Sequence, residues 1–262
     1  MHFYLIIKTK HFIKYSWNDK KLISIEITWI HLSLKKMYKM RYVIILLLLS
    51  IISGCKTDKK KEALVIEKEY TLSEKIANAN GFQNWKEVTQ LKFTFNVDRD
   101  TSHFERTWIW DIKENQVTSI SNNETIIYNR AKLDSTSHQI NGGFVNDKYW
   151  LLAPFNLIWD KDNYTHNLKE DVVAPISKKA MQKLTITYSS DGGYTPGDAY
   201  DFYFEDDFQI KEWVFRKANQ PEPSLITTWE DYVEKGGLKI AQTHKNDEGF
   251  KLYFTEIEVN TK

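Results

Sequence analysis

From Gln90 to Asp98 the odd positions Leu91, Phe93, Phe95 and Val97 are apolar, while Lys92, Thr94 and Asn96 between them are polar. Period-two alternation puts one face in a core and the other in water, which is the mark of a half-buried antiparallel strand. His103 to Ile112 repeats it with Phe104, Trp108, Trp110 and Ile112 on one face, although Arg106 shares that face and Ile109 opposes it. Val117–Ser121 and Thr125–Asn129 follow across an Asn122-Asn123 turn. Alternation returns at Lys183–Ser189, Ala199–Glu205, Gln209–Arg216, Ser224–Val233, Leu238–His244 and Phe250–Val259, with Gly192-Gly193, Thr195-Pro196-Gly197 and Gly236-Gly237 as turns. About ten short strands with no βαβ rhythm predict a mainly β (α+β) domain, built as a strongly curved antiparallel sheet or barrel.

Two segments depart from the strand pattern. Leu72–Ala79 reads as a short N-terminal helix, opened by Thr71 or Ser73 and stopped by Asn80-Gly81. Asn146–Phe155 reads as a short mid-chain helix or irregular plug, because Asn146 can cap it and Pro154 disrupts its continuation.

The chain begins differently. Arg41 precedes an apolar run, Val43 to Leu49, and then Ile52-Ser53-Gly54-Cys55. A basic head, an apolar stretch and a small-residue cleavage site in that order form an export signal. The stretch is shorter than the roughly 20 apolar residues that a permanent membrane span needs. Translation is expected to start at Met37 or Met40, so residues 1–36 read as an extension ahead of the true start, 37–54 as the signal peptide, 55–70 as a charged tether and 71–262 as the domain. Nine Lys/Arg and two acids precede Cys55, leaving 27 basic against 33 acidic residues from there on. An acidic balance argues against nucleic acid as a partner. Cys55 is the one cysteine, so disulfides and cysteine-ligated zinc are excluded.

Ile52-Ser53-Gly54-Cys55 resembles the bacterial lipobox, which implies lipidation of Cys55 and anchoring of the mature chain in a membrane. Several acyl chains together hold firmly, since each buried CH₂ contributes about 0.8 kcal/mol. Further resemblance lies in Ala79-Asn80-Gly81-Phe82-Gln83-Asn84-Trp85 before the strand Val88 to Val97, in Tyr200 to Phe204 with Gln209 to Phe215, and in Thr228 to Tyr232 with Gly236 to Ile240 and His244. These stretches are similar to periplasmic proteins related to the lipoprotein-sorting carrier LolA. The resemblance implies an incomplete barrel with helices in its concave face, a greasy cavity for acyl chains or other amphiphiles, and no catalytic residue or cofactor. It also implies the inner leaflet of the outer membrane, facing the periplasm. Lys56 after the anchor is not the aspartate that retains lipoproteins in the inner membrane of some bacteria.

Catalytic and metal chemistry find little support in the residues. His103, His138, His166 and His244 form no i, i+4 pair and are expected at the surface or in hairpins. Asp160-Lys161-Asp162-Asn163 starts like a calcium loop but has Thr165 where the glycine belongs. Glu205-Asp206-Asp207 stands at a hairpin turn rather than as carboxylates facing across a cleft. No enzyme is expected. Aromatic residues make up 14% of the chain, and the candidates for a ligand cavity are Phe93, Phe95, Trp108, Trp110, Trp150, Trp213 and Phe215. The rival is a carbohydrate-binding lipoprotein stacking sugars on exposed Trp108, Trp110 and Trp213; enclosure of these rings favours lipid and exposure favours sugar.

Overall fold

The structure, a computed structural model, describes residues 69–262. The readings of residues 1–36, of the signal, of Cys55 and of the tether up to Lys68 lie outside the described residues. The described part is an α+β domain of two open antiparallel sheets, together a curved, incomplete barrel.

Helix α1 (Leu72–Ala79) is set by a capping box, in which Thr71 accepts from the Glu74 amide and Glu74 accepts from the Thr71 amide. It ends where Asn80 donates to the Ile76 carbonyl and Gly81 takes φ +87°. A Cβ on Gly81 would stand 2.2 Å from the Gly237 carbonyl oxygen, so only glycine passes there. A 3-10 segment, Phe82–Glu87, leads into the first sheet.

That sheet has seven strands in the order β10-β11-β12-β1-β2-β3-β4. Its members are β1 (Val88–Arg99), β2 (Ser102–Asp111), β3 (Gln116–Ser121), β4 (Glu124–Asn129), β10 (Glu230–Lys235), β11 (Leu238–Lys245) and β12 (Phe250–Thr261). Leu91 faces Trp110 across β1 and β2, Phe93 faces Trp108, Phe95 faces Arg106 and Val97 faces Phe104, so the alternating residues share one concave wall. The second sheet runs β5-β6-β7-β8-β9, with β5 (Tyr164–Val173), β6 (Ala180–Tyr188), β7 (Ala199–Phe204), β8 (Ile210–Arg216) and β9 (Leu225–Thr228). The sheets approach where the Trp229 amide donates to the Lys211 carbonyl and the Lys245 amide to Thr228.

Three expectations need correction. There are twelve strands rather than about ten. β5 gives no alternation because nearly all of it is exposed on both faces, and Ser224–Val233 is two strands broken at Trp229. The mid-chain helix is not short: α2 runs from Ser135 to Trp159, opened by an Asp134/Ser137 capping box and kinked at Leu152 ahead of Pro154. From Asp147 to Leu157 every residue is buried. Such a helix has no polar stripe, so no 3.6-residue period can be read from it.

Helix α2 lies in the concavity and is fixed there by one polar cluster. The Asp147 carboxylate, fully buried, accepts from Arg106 Nε at 2.5 Å and Nη2 at 2.7 Å, from Trp108 Nε1 at 2.8 Å and from Asn146 at 3.0 Å. Burial pushes the Asp147 carboxyl above its usual range, while Arg106, Trp108 and Asn146 pull it back. Gly143 leaves room for the guanidinium, which a Cβ would meet at 2.7 Å. Replacing Arg106 by Leu strands the carboxylate and is expected to cost about 3–5 kcal/mol in urea unfolding. Asp147→Asn added to it should restore part of that loss; an unchanged midpoint in Arg106→Leu would show that the pair does not hold the helix.

Candidate functional site

A partly open, mostly apolar cavity of about 340 Å³ lies between α2 and the two sheets. Phe95 and Val97 of β1 with Phe250 and Leu252 of β12 make one wall, and Tyr200, Trp213, Phe215 and Leu225 make the other. Asn146, Tyr149 and Trp150 of α2, with Tyr194 and Thr195, complete the lining. Eight of these residues are aromatic and none is acidic or basic. The volume is near the small end of ligand pockets, roughly 300–1,000 Å³.

The rings brace one another. Tyr149 stacks on Tyr194 with centroids 3.8 Å apart and planes 4° apart, and Trp150 meets Trp213 edge-on at 4.4 Å. Tyr200 reaches both Trp213 and Phe215, at 5.3 and 5.2 Å, and its hydroxyl pairs with Thr195 at 3.1 Å. Tyr194 is delivered by the Gly192-Gly193 turn, both glycines having positive φ, and a Cβ on Gly193 would meet the Tyr188 ring at 2.6 Å. Burial pushes the hydroxyls of Tyr149, Tyr188 and Tyr194 far above the usual phenol range. The cavity therefore offers apolar surface and aromatic faces but no charge and no proton donor active near neutral pH.

Of the residues singled out in the sequence, Phe95, Trp150, Trp213 and Phe215 stand together in this cavity. Phe93, Trp108 and Trp110 do not; they share the concave wall but are packed deeper in the core, with Phe144 covering both tryptophans at 5.5 and 5.6 Å. Alternation gives the face of a strand, not the depth along it. Trp108, Trp110 and Trp213 are 1%, 8% and 1% exposed, so none presents a flat ring to solvent for a sugar. Tyr149, Tyr194, Tyr200 and Phe250 escaped the sequence reading; the apolar spacing from Tyr200 to Phe204 was the one available signal.

A larger cleft of about 660 Å³ is open and lined by Glu170, Asp171, Glu205, Asp206 and Asp207 among others. There Asp206 accepts from Gln182 and Asp207 from Lys211, as turn residues do. Among the described residues no three His, Cys, Asp or Glu side chains are grouped to hold a metal ion, and no helix is long and apolar enough to cross a membrane.

His103, His138 and His166 are exposed, but His244 is not the surface or hairpin residue expected. It is fully buried, with Trp229 at 4.5 Å, Trp150 at 5.3 Å and Phe254 at 5.9 Å from its ring, and among the described residues neither nitrogen has a well-formed hydrogen bond, the Thr228 backbone being the polar group beside it. Burial pushes its pKa down to about 3.

No family model matches the sequence, and no curated protein matches it. Solved structures similar to this one include a LolA superfamily protein from Nitrosomonas europaea (10% identity, 73% of this chain, 93% of the other, TM-score 0.45). A DUF1329 family protein from Desulfovibrio piger (8% identity, 72% and 92%, TM-score 0.42) is another. A third is a domain from Vibrio parahaemolyticus assigned to outer membrane lipoprotein sorting (9% identity, 72% and 94%, TM-score 0.39). At these identities and scores the functional reading rests on the chain's own residues.

A histidine that is neutral in the fold and charges freely when unfolded stabilises the domain above its unfolded pKa, and that stability is lost as pH falls from about 6.5 toward 3. The loss amounts to at most about 5 kcal/mol over that window. His244→Phe is expected to flatten the fall in urea midpoint between pH 6.5 and 3.5; an identical pH profile in the variant would contradict the assignment.

Proposed function

We propose that this chain is a lipid-anchored envelope protein whose half-barrel holds the apolar part of an amphiphile, a lipid or an acyl chain, without catalysing a reaction on it. The observation that carries the reading is the partly open cavity walled by eight aromatic rings and three aliphatic side chains, with Asn146 and Thr195 as its polar lining. A cavity of this composition favours a group that gives up water at no electrostatic cost. Acylation at Cys55 supplies the membrane attachment, and the tether from Cys55 to Tyr70 spans at most about 50 Å when extended, at about 3.3 Å per residue. The domain then works away from the bilayer surface while tied to it, on the periplasmic side of the outer membrane.

A fluorescent fatty-acid probe is expected to bind the wild-type domain. Leu225→Trp, which fills the cavity from its β9 side, should weaken that binding at least about tenfold, or about 1.4 kcal/mol, and leave the melting temperature nearly unchanged. Trp110→Ala should act differently, costing about 3–5 kcal/mol of stability because its ring is packed in the core rather than lining the cavity. Absence of probe binding to wild type, or binding that survives Leu225→Trp, contradicts the cavity reading. Cys55→Ala should abolish incorporation of labelled palmitate and release the chain from membranes; retained labelling contradicts the anchor.

A further inference from the structure

The geometry points to a second site, for an oxyanion, formed by Lys148 and Arg130 over a tryptophan shelf on another face of α2. Asn141, Phe144 and Lys148 recur at helical spacing, on a stripe distinct from the cavity residues Asn146, Tyr149 and Trp150, and beyond the kink at Leu152 Trp159 meets that stripe at Lys148. Lys148 is only 8% exposed, yet among the described residues its ammonium has neither a hydrogen bond nor an ion pair; it lies 4.7 Å from the centre of the Trp159 ring. Arg130 is half-buried over Phe144 and Trp110, at 5.2 and 5.7 Å, and among the described residues the one hydrogen bond of its guanidinium goes to the neutral amide oxygen of Asn141. Half-exposed Trp85 joins the two platforms, 5.6 Å from Trp110 and 5.1 Å from Trp159.

Two cations held this way are costly. Each gives up part of its hydration and repels the other, and among the described residues no carboxylate pairs with either. Asp160 is the acid whose charge reaches Lys148, but it forms no ion pair with it and instead accepts from Asn156 and Tyr188. Burial and then Arg130 lower the Lys148 pKa to about 8, so the group still carries its proton near neutral pH. Two neighbouring cations with no acidic partner among the described residues, beside aromatic faces, fit a phosphate or carboxylate: Arg130 offers its remaining N–H donors in a planar fork and Lys148 a compact charge. The tryptophans give a flat apolar group on the same molecule a surface to rest on.

The site separates from the cavity in its test. Inorganic phosphate, phenyl phosphate and vesicles containing an anionic phospholipid are titrated into the protein, read by tryptophan fluorescence and calorimetry. Phenyl phosphate is expected to bind, to bind Lys148→Met and Arg130→Gln at least tenfold more weakly, and to bind Leu225→Trp as well as wild type. Lys148→Met should be no less stable than wild type, because it removes an unpaired buried charge and keeps the shape of the chain. Binding of inorganic phosphate as well marks a free oxyanion as sufficient; binding of vesicles in addition to phenyl phosphate marks a lipid headgroup as the source. No binding of any of the three probes, or equal binding to wild type and both cation variants, overturns the site.

Discussion

The ion pair between half-buried Arg106 and fully buried Asp147 fixes how α2 sits in the described domain. A helix buried on every side, as α2 is from Asp147 to Leu157, must be enclosed, and the curved sheets offer the enclosure. Apolar contact alone would let it slide or turn. The Arg106–Asp147 pair, joined by Trp108 Nε1 and Asn146, removes that freedom, since any shift of the helix would strand a fully buried carboxylate. With the register of α2 fixed on β2, Tyr149 and Trp150 reach the second sheet and Lys148 turns toward Trp159. Both the apolar cavity and the cationic shelf are consequences of that one placement.

The sequence made some of this legible and hid the rest for physical reasons. Strands that alternate polar and apolar residues announce themselves, so the bounds of β1 and β2 are legible to within a residue or two and their apolar residues are correctly placed on one shared wall. The Thr71/Glu74 box and the Asn80-Gly81 stop marked α1, because caps are local chemistry. Helix α2 reads as a short plug, since total burial erases its period, Asn146 looks like a cap and Pro154 suggests an end. Arg106 stood out as a charge on an apolar face, but its partner is 41 residues away on an element whose register could not be predicted. His244 looked like an ordinary polar position, and only packing shows it walled in by Trp150, Trp229 and Phe254.

The candidate site was half visible for a related reason. Phe95, Trp150, Trp213 and Phe215 come from elements far apart in the chain, and alternation placed the strand residues on the inner surface. Phe93, Trp108 and Trp110 satisfy the same rule, yet Phe144 covers both tryptophans, Trp85 lies against Trp110, and Phe93 packs on Phe254. Whether an inward ring lines a cavity or fills a core depends on what lies over it, and here that was decided by a helix too buried to be read.

The central claim is that the space between α2 and the two sheets holds an amphiphile rather than more protein. It is tested most directly by mass spectrometry of the organic extract of Cys55→Ser protein purified without detergent, so that no anchor lipid contributes. The account predicts one class of amphiphile at close to one per chain, lost when Leu225→Trp fills the cavity. An extract without amphiphile, or one unchanged by that substitution, would contradict it.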